Sequence, residues 1–362
     1  MKQDTRNRAK SERLLTVALW WVRAIGLTVA VGIAYFLSAR LSLALLSDPD
    51  GVAVFWPAAG VSAGVLISLG PGARWPVAAG AIIATIVANL LGDRNVPSAI
   101  IFALCNAGEA ILAAAFIERR FGPAFDLDRL SHVLGLLGAA AVATAVSGMG
   151  GTLGYVLFHH STAPFLTIWQ HWVTSDAFGM LAVAPLLIGI ASATRDPPPP
   201  REMIEGIAGL AALSVAIGVV LLIPHEPWTT VVPTTMFFPL LLWLAARCRP
   251  VFAAGAAFIV ALAVVTTTTF GIGHFGDPSL SIADRILASQ ASILAVSLCA
   301  LTVAALFAER RQNEIALRES EASLQEALTA GAVTAFEWDY RTGVSHRSDN
   351  APHDNYVVAQ CG

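Results

Sequence analysis

Residues 132–158 read HVLGLLGAAAVATAVSGMGGTLGYVLF and contain no Asp, Glu, Lys or Arg. About 20 consecutive apolar residues are enough for a helix to cross ~30 Å of hydrocarbon, so this stretch predicts a membrane-spanning helix. The composition extends that conclusion to the whole chain. Of its 362 residues 56% are hydrophobic and 13% are charged, whereas soluble domains carry about 25% charged residues. The chain is therefore predicted to be an all-α polytopic membrane protein, which excludes a soluble enzyme, a disordered tail and a secreted disulfide scaffold.

Apolar length and Gly/Pro punctuation predict about ten transmembrane helices. They lie near residues 24–46, 52–69, 75–92, 97–117, 132–158, 168–190, 204–223, 229–246, 251–270 and 286–308. One linker, 191–203, separates six spans from four. Its four prolines, 197 to 200, predict a stiff extended spacer.

The distribution of basic residues predicts the orientation of these spans. With residues 1–16 as a cytoplasmic N-terminal tail, sixteen Lys and Arg fall in cytoplasmic segments, and only Arg40, Arg94 and Arg285 fall outside. Loops rich in Lys and Arg stay in the cytoplasm. An even number of spans also places the C-terminus in the cytoplasm.

The polar segment after the last span predicts a helical connector over 309–330, with Leu317 and Leu324 seven residues apart. Beyond it, the alternation of Val333, Phe336 and Trp338 predicts a short strand followed by a turn. The last residues, to 362, follow no pattern that predicts a structure.

Few features of the chain indicate catalysis or a cofactor. The four cysteines form no CxxC or Cys/His cluster, and no P-loop, GxSxG or HExxH motif occurs. No catalytic residue, metal site or cofactor is predicted. The net charge of −3 gives no reason to expect a nucleic-acid partner.

Two acidic residues fall deep inside predicted spans, where a charge is costly and marks a functional hypothesis. Glu109 lies ~18 Å and Asp176 ~12 Å along spans that start outside. Neither has a basic residue in its own span. Other polar and aromatic residues fall in the same outer half of the bilayer. The candidate ligand or proton site consists of Trp56, Asn89, Asn106, Glu109, Trp172 and Asp176.

Two interpretations of these residues are open. They can line a cavity open to the periplasm that binds a stimulus. Alternatively, Glu109 and Asp176 hold helices together by hydrogen bonds, with at least one of them protonated, and the tryptophans anchor the helices at the membrane interface.

Three groups of residues together resemble the bacterial MASE1 family of integral membrane sensory domains. The first is Phe55 to Gly60 (FWPAAG), followed by Arg74-Trp75-Pro76 and Ala88-Asn89-Leu90. The second is Asn106 with Glu109, before Glu118-Arg119-Arg120. The third comprises Trp169, Trp172, Asp176, Gly179 and Pro185. The resemblance covers roughly residues 20–310 and implies a sensory domain over 17–308.

The tail resembles the opening of a PAS domain, through Phe336-Glu337-Trp338-Asp339 and Thr342-Gly343. MASE1 regions sit ahead of PAS domains, histidine kinases or cyclic-di-GMP enzymes. The resemblance therefore implies an input module in the bacterial inner membrane that detects a small molecule or ion. It also implies a cytoplasmic effector as partner, an incomplete PAS-like fragment over 331–362 and a possible homodimer.

A secondary transporter is the alternative. Spans broken by Gly and Pro with midplane carboxylates fit that class. The octapeptide that starts at Arg74, RWPVAAGA, also resembles RPVFAAGA, which starts at Arg249. Such an echo is typical of an internal repeat.

Overall fold

A computed structural model describes residues 2–44, 55–159, 163–222, 231–272, 274–276, 279, 281–330, 336–339, 341–342 and 344–347. Within these ranges the chain forms ten α-helices and one antiparallel strand pair. The helices are α1 (Lys2–Ala44), α2 (Pro57–Leu69), α3 (Arg74–Leu90), α4 (Val96–Phe121), α5 (Leu130–His159), α6 (Phe165–Arg195), α7 (Pro200–Leu222), α8 (Val231–Arg247), α9 (Pro250–Phe270) and α10 (Ile282–Ala330). The strands are β1 (Phe336–Asp339) and β2 (Val344–Arg347).

Eight of the described helices are long and apolar enough to cross a membrane, so the chain is a polytopic membrane protein. The prediction of ten spans needs a correction at two of them. The segments predicted at 52–69 and 229–246 correspond to the shorter helices α2 and α8, of 13 and 17 residues. At 1.5 Å per residue α2 is only ~20 Å long, less than the ~30 Å of the hydrocarbon core.

The short helix α2 lies inside the bundle rather than at its lipid-facing surface. It contacts α1, α4 and α6, and ten of its thirteen residues are buried. The backbone just before α2 is not helical, and such backbone can lie at membrane depth only where protein surrounds it. The packing around α2 meets that condition.

The break before α2 follows from Pro57. A residue that precedes proline is pushed out of the α region, and Trp56 adopts φ −119° and ψ 76°. Its backbone N–H, which has no partner within a helix, donates to the carbonyl oxygen of Ser175 on α6 at 3.1 Å. The chain crosses α6 so closely that a Cβ at Gly179 would overlap the Trp56 carbonyl.

Helix α6 separates two hydrophobic clusters. Met180, Ala184 and Ile188 pack with residues of α2, α4 and α5. Phe178 and Val183 of the same helix pack with residues of α7 to α10. The two parts of the bundle therefore share one helix.

The link between α6 and α7 is shorter than the sequence indicates. Residues 191–195 complete α6 and Pro200 begins α7, so only 196–199 of the predicted linker are not helical. Proline at the first helical position loses no hydrogen bond. The Arg249 guanidinium pairs with the Asp196 carboxylate at 2.9 Å, which ties this link to the start of α9.

Residues 309–362 form a second compact unit, whose described part contains the end of α10 and the strand pair. The side chains described between 309 and 330 are mostly exposed. In the strand pair, Phe336 lies opposite Arg347 and Asp339 opposite Val344. Two strands of four residues occur in many folds, so the PAS assignment stays a prediction. The predicted positions of Val333 and of the final stretch lie outside the described residues.

The close crossing of α2 over α6 predicts a steep cost for one methyl group. Gly179→Ala should lower the free energy of unfolding by about 1–3 kcal/mol, the usual cost of overpacking, because its Cβ would displace the Trp56 carbonyl. The measurement is unfolding of the purified chain in mixed micelles. Gly108→Ala on α4, where a Cβ meets nothing within 4 Å, is the matched control. Equal stability of the two variants would contradict this packing.

Candidate functional site

A buried tyrosine connects α1 with α4 and with the residue before α2. Tyr35 of α1 is completely buried. Its hydroxyl oxygen accepts hydrogen bonds from Trp56 Nε1 at 3.3 Å and from Asn106 Nδ2 at 2.8 Å. These bonds fix the side chains of the residue before α2 and of a residue in the middle of α4.

The two acidic residues predicted at membrane depth meet next to this tyrosine. Glu109 on α4 and Asp176 on α6 are 2% and 5% exposed, and their carboxyl groups contact each other. A hydrogen bond between two carboxyl groups requires a proton on one of them. The pair can therefore hold α4 and α6 together, as one of the two interpretations of the sequence predicts.

Trp172, one turn before Asp176, is fixed by α5. Its Nε1 donates to Ser147 Oγ at 3.3 Å, and its ring lies 5.1 Å from that of Phe102. The neighbouring Trp169 takes a different role, because its Nε1 donates to the carbonyl oxygen of Ala145 at 3.0 Å.

A cavity of about 50 Å³ lies between these helices, which is room for a few water molecules. Its walls come from α1, α3, α4, α5, α6 and the segments just before α2 and α4. The lining residues are Leu43, Trp56, Asn89, Arg94, Phe102, Asn106, Tyr155, Trp172, Ser175 and Asp176.

Arg94 supplies the cation of the cavity. It belongs to the short turn between α3 and α4, and its guanidinium lies over the rings of Phe102 at 5.5 Å and Tyr155 at 5.8 Å. Burial lowers the pKa of Arg94 from its usual value, but an arginine remains charged at neutral pH. Cation–π contacts of this kind stabilise a desolvated guanidinium.

The structure brings five of the six predicted site residues to this cavity, namely Trp56, Asn89, Asn106, Trp172 and Asp176. Glu109 is not among the lining residues, but it contacts the cavity residue Asp176. The sequence prediction missed Tyr35, Arg94, Phe102, Tyr155 and Ser175. Two of these are among only four tyrosines in the chain, and a tyrosine within an apolar span was the available signal.

The described residues contain no group of three or more His, Cys, Asp or Glu side chains that could hold a metal ion. The site instead combines carboxyl, amide, hydroxyl and aromatic groups with one guanidinium. Groups of this kind are able to form hydrogen bonds and charge interactions with a small polar molecule.

Comparison with known families agrees with this architecture. A family model described as MASE1 matches residues 27–311, well over half of the chain and all residues of the cavity. The chain belongs to the MASE1 family. MASE1 is a family of membrane-associated sensory domains. No curated protein and no solved structure matches the chain.

The Tyr35 hydroxyl should be important for stability. Tyr35→Phe leaves the buried N–H groups of Trp56 and Asn106 without their acceptor. We expect the free energy of unfolding to fall by about 1–3 kcal/mol, measured in the same micelle assay. Ser38→Ala on the same helix is the control, because that hydroxyl is exposed and bonds only within α1 at Ala34. A Tyr35→Phe protein as stable as the control would rule out a structural role for the hydroxyl.

Proposed function

We propose that this chain is the membrane-embedded input module of a bacterial signal-transduction protein, and that the cavity beside Asp176 binds its stimulus. The MASE1 membership supports the sensory role. The cavity supports the location, because its buried polar groups come from segments of the chain that are far apart in sequence.

The predicted excess of basic residues in cytoplasmic segments orients the cavity. Asn89 and Arg94 lie near the end of α3 and just after it, whereas Arg74 and its ion-pair partner Glu118 lie at the opposite end of α3 and α4. On the positive-inside rule, the end of the helix bundle that carries Arg74 faces the cytoplasm. The proposed membrane is the inner membrane of a bacterium. The cavity then opens toward the periplasm.

One hydrogen bond supports a route from the cavity to the C-terminal helix. Thr174 lies next to the cavity residue Ser175 on α6, and its hydroxyl accepts from Gln290 Nε2 of α10 at 3.4 Å. Ile293 of α10 also belongs to the hydrophobic cluster of Phe178. A shift of α6 on ligand binding therefore acts directly on α10.

Helix α10 is the proposed output element. It runs from Ile282 to Ala330 without a break, so a displacement near Gln290 reaches the predicted connector, 309–330. The connector then controls a cytoplasmic PAS domain followed by a histidine kinase or a cyclic-di-GMP enzyme, and two copies of the chain pair through it. A stimulus can shift this equilibrium only if it binds one arrangement of the helices better than the other.

Two substitutions distinguish ligand binding in the cavity from signal transmission through α10. Both are tested in a signalling protein that contains this domain together with its output domain. Asp176→Asn should abolish regulation of the output by replacing the cavity carboxyl group that contacts Glu109. Gln290→Leu should abolish regulation but leave ligand affinity unchanged, because Gln290 does not line the cavity and its loss removes the contact with Thr174, whose hydroxyl still bonds to the Gln170 carbonyl. The measurements are phosphotransfer or cyclic-di-GMP level together with ligand affinity.

Glu205→Gln, an equivalent carboxyl-to-amide change at an exposed ion pair with Arg247, is the control and should be regulated normally. Normal regulation of both Asp176→Asn and Gln290→Leu at wild-type expression would contradict the proposed site and its relay.

A secondary transporter remains the second candidate, favoured by one observation. Each of the shorter helices, α2 and α8, directly precedes the helix that carries a copy of the octapeptide, α3 and α9. Short or interrupted helices at corresponding positions of two repeats are typical of transporter substrate sites.

Uptake into vesicles distinguishes the candidates. The purified chain in proteoliposomes, given a mixture of radiolabelled amino acids, sugars and carboxylates, should show no saturable uptake above protein-free vesicles. Asp176→Asn is the control for any uptake that occurs. Saturable uptake that this substitution removes would favour the transporter.

A further inference from the structure

The carboxyl groups of Glu109 and Asp176 share a proton inside the bundle. The two residues are 2% and 5% exposed, and their carboxyl groups contact each other. Two carboxylates in contact repel each other, so such a pair titrates as a unit and keeps one proton between its members. Ser147 also contacts the Glu109 carboxyl, and Trp172 that of Asp176, but neither carries a positive charge. The shared proton therefore allows the two groups to lie together.

Other titratable groups surround the pair. Four come from different parts of the bundle, namely Tyr35 of α1, Cys105 of α4, Tyr155 of α5 and Arg94 of the turn between α3 and α4. Farther along their helices are Arg74 of α3, His171 of α6 and Asp284 with Arg285 of α10. Helices α2 and α9 have no titratable side chain. Histidine and carboxyl groups are the side chains that ordinarily titrate below about pH 8, so His171 and Asp284 supply the controls.

The cavity connects the pair with the end of the bundle that carries Arg94. Its lining includes that residue, in the turn before α4, and Asn106, the eleventh residue of the helix, together with Ser175 and Asp176. Asn106 Oδ1 and Ser175 Oγ are buried and have no hydrogen-bond partner among the described residues. Water commonly satisfies such atoms, and the cavity of about 50 Å³ has room for it. Hydrogen-bonded water conducts protons, so Asp176 can exchange its proton through the cavity.

We propose that the pair of Glu109 and Asp176 is a proton-binding site, and that the stimulus is the proton concentration outside the membrane. This inference rests on the proposed sensory function and names its ligand. At low external pH the pair holds its proton, and the hydrogen bond keeps α4 against α6. As the pH rises, a water molecule accepts the proton from the carboxyl O–H, and the two remaining carboxylates repel each other. The helices then move apart, and α6 acts on α10 through Thr174 and Gln290.

Infrared difference spectroscopy of the unmodified full chain in lipid nanodiscs tests for the proton. A protonated carboxyl group has a C=O stretching band that a carboxylate lacks. The titration runs from about pH 6, where exposed carboxyl groups are ionised, to about pH 9, near the upper end of the range for buried ones. The band should be present at the lower pH and disappear reversibly as the pH rises. Asp284→Asn, a change at an exposed carboxyl group of α10, should leave it unchanged.

Two variants locate the proton. The double variant Glu109→Gln/Asp176→Asn should lack the band, because neither residue retains a carboxyl group. Glu109→Gln alone should lack it as well, because the glutamine amide donates to the Asp176 carboxylate without a shared proton. Thermal unfolding establishes that each variant is folded, and the single variant keeps the test available if the double variant is not.

The direction of the response is tested in a signalling protein that contains this domain and its output domain. The output of the unmodified protein should change with external pH. Glu109→Gln imitates the protonated pair, so its output should stay at the low-pH level at every pH. Gln290→Leu should lose the response of the output but keep the titration of the infrared band. His171→Gln, five residues before Asp176 on α6, should respond normally.

The outcomes distinguish this inference from the proposed function. The absence of a titrating band from the unmodified chain would overturn the proton site, and a band that persists in both Glu109→Gln and the double variant would overturn its location. An output that does not respond to external pH, or a response that His171→Gln removes, would overturn the proton as stimulus. The sensory proposal itself fails only if the output stays normally regulated in the variants of Asp176 and Gln290.

Discussion

One backbone hydrogen bond between two helices inside the bundle positions the elements around the cavity. The N–H of Trp56 has no helical partner because Pro57 starts a helix behind it, and it donates to the Ser175 carbonyl instead. In a membrane the alternative, an unsatisfied amide, costs several kcal/mol. The bond requires the chain to cross α6 at close range, which Gly179 permits. The crossing leaves the wide indole of Trp56 and the polar groups around Ser175 next to each other, and the cavity is the space between them.

Helix α6 contributes three groups to this arrangement. It supplies the carbonyl that satisfies the break, the carboxyl group of Asp176 in the cavity, and the threonine that contacts α10. Both interpretations of the buried acids involve Asp176, because it contacts Glu109 of α4 and also lines the cavity. A ligand in the proposed site would therefore lie beside the contact between the two carboxyl groups.

Much of this architecture could be predicted from the sequence, because apolar length and proline positions are local signals. They placed ten helices, and the depth of Glu109 and Asp176 predicted a site that stays a prediction. The predicted length of the second span was wrong, because hydrophobic periodicity cannot show that the chain before Pro57 is not helical and bonds to α6. The sequence analysis used Arg94 only as a basic residue of an outer segment, because no local pattern shows that the turn between α3 and α4 places its guanidinium over Phe102. Tyr35 was missed for the same reason, since its partners lie 21 and 71 residues away.

Thiol labelling from outside the cell tests most directly whether this cavity is the external receptor site. Asn89→Cys, in a chain whose own cysteines are replaced by alanine, would be treated with a membrane-impermeant thiol reagent in intact spheroplasts. The account predicts that this cysteine is labelled from the periplasm, and that Ala110→Cys, in the closed core of α4, is not. Failure to label Asn89→Cys until the membrane is broken would contradict a cavity open to the periplasm.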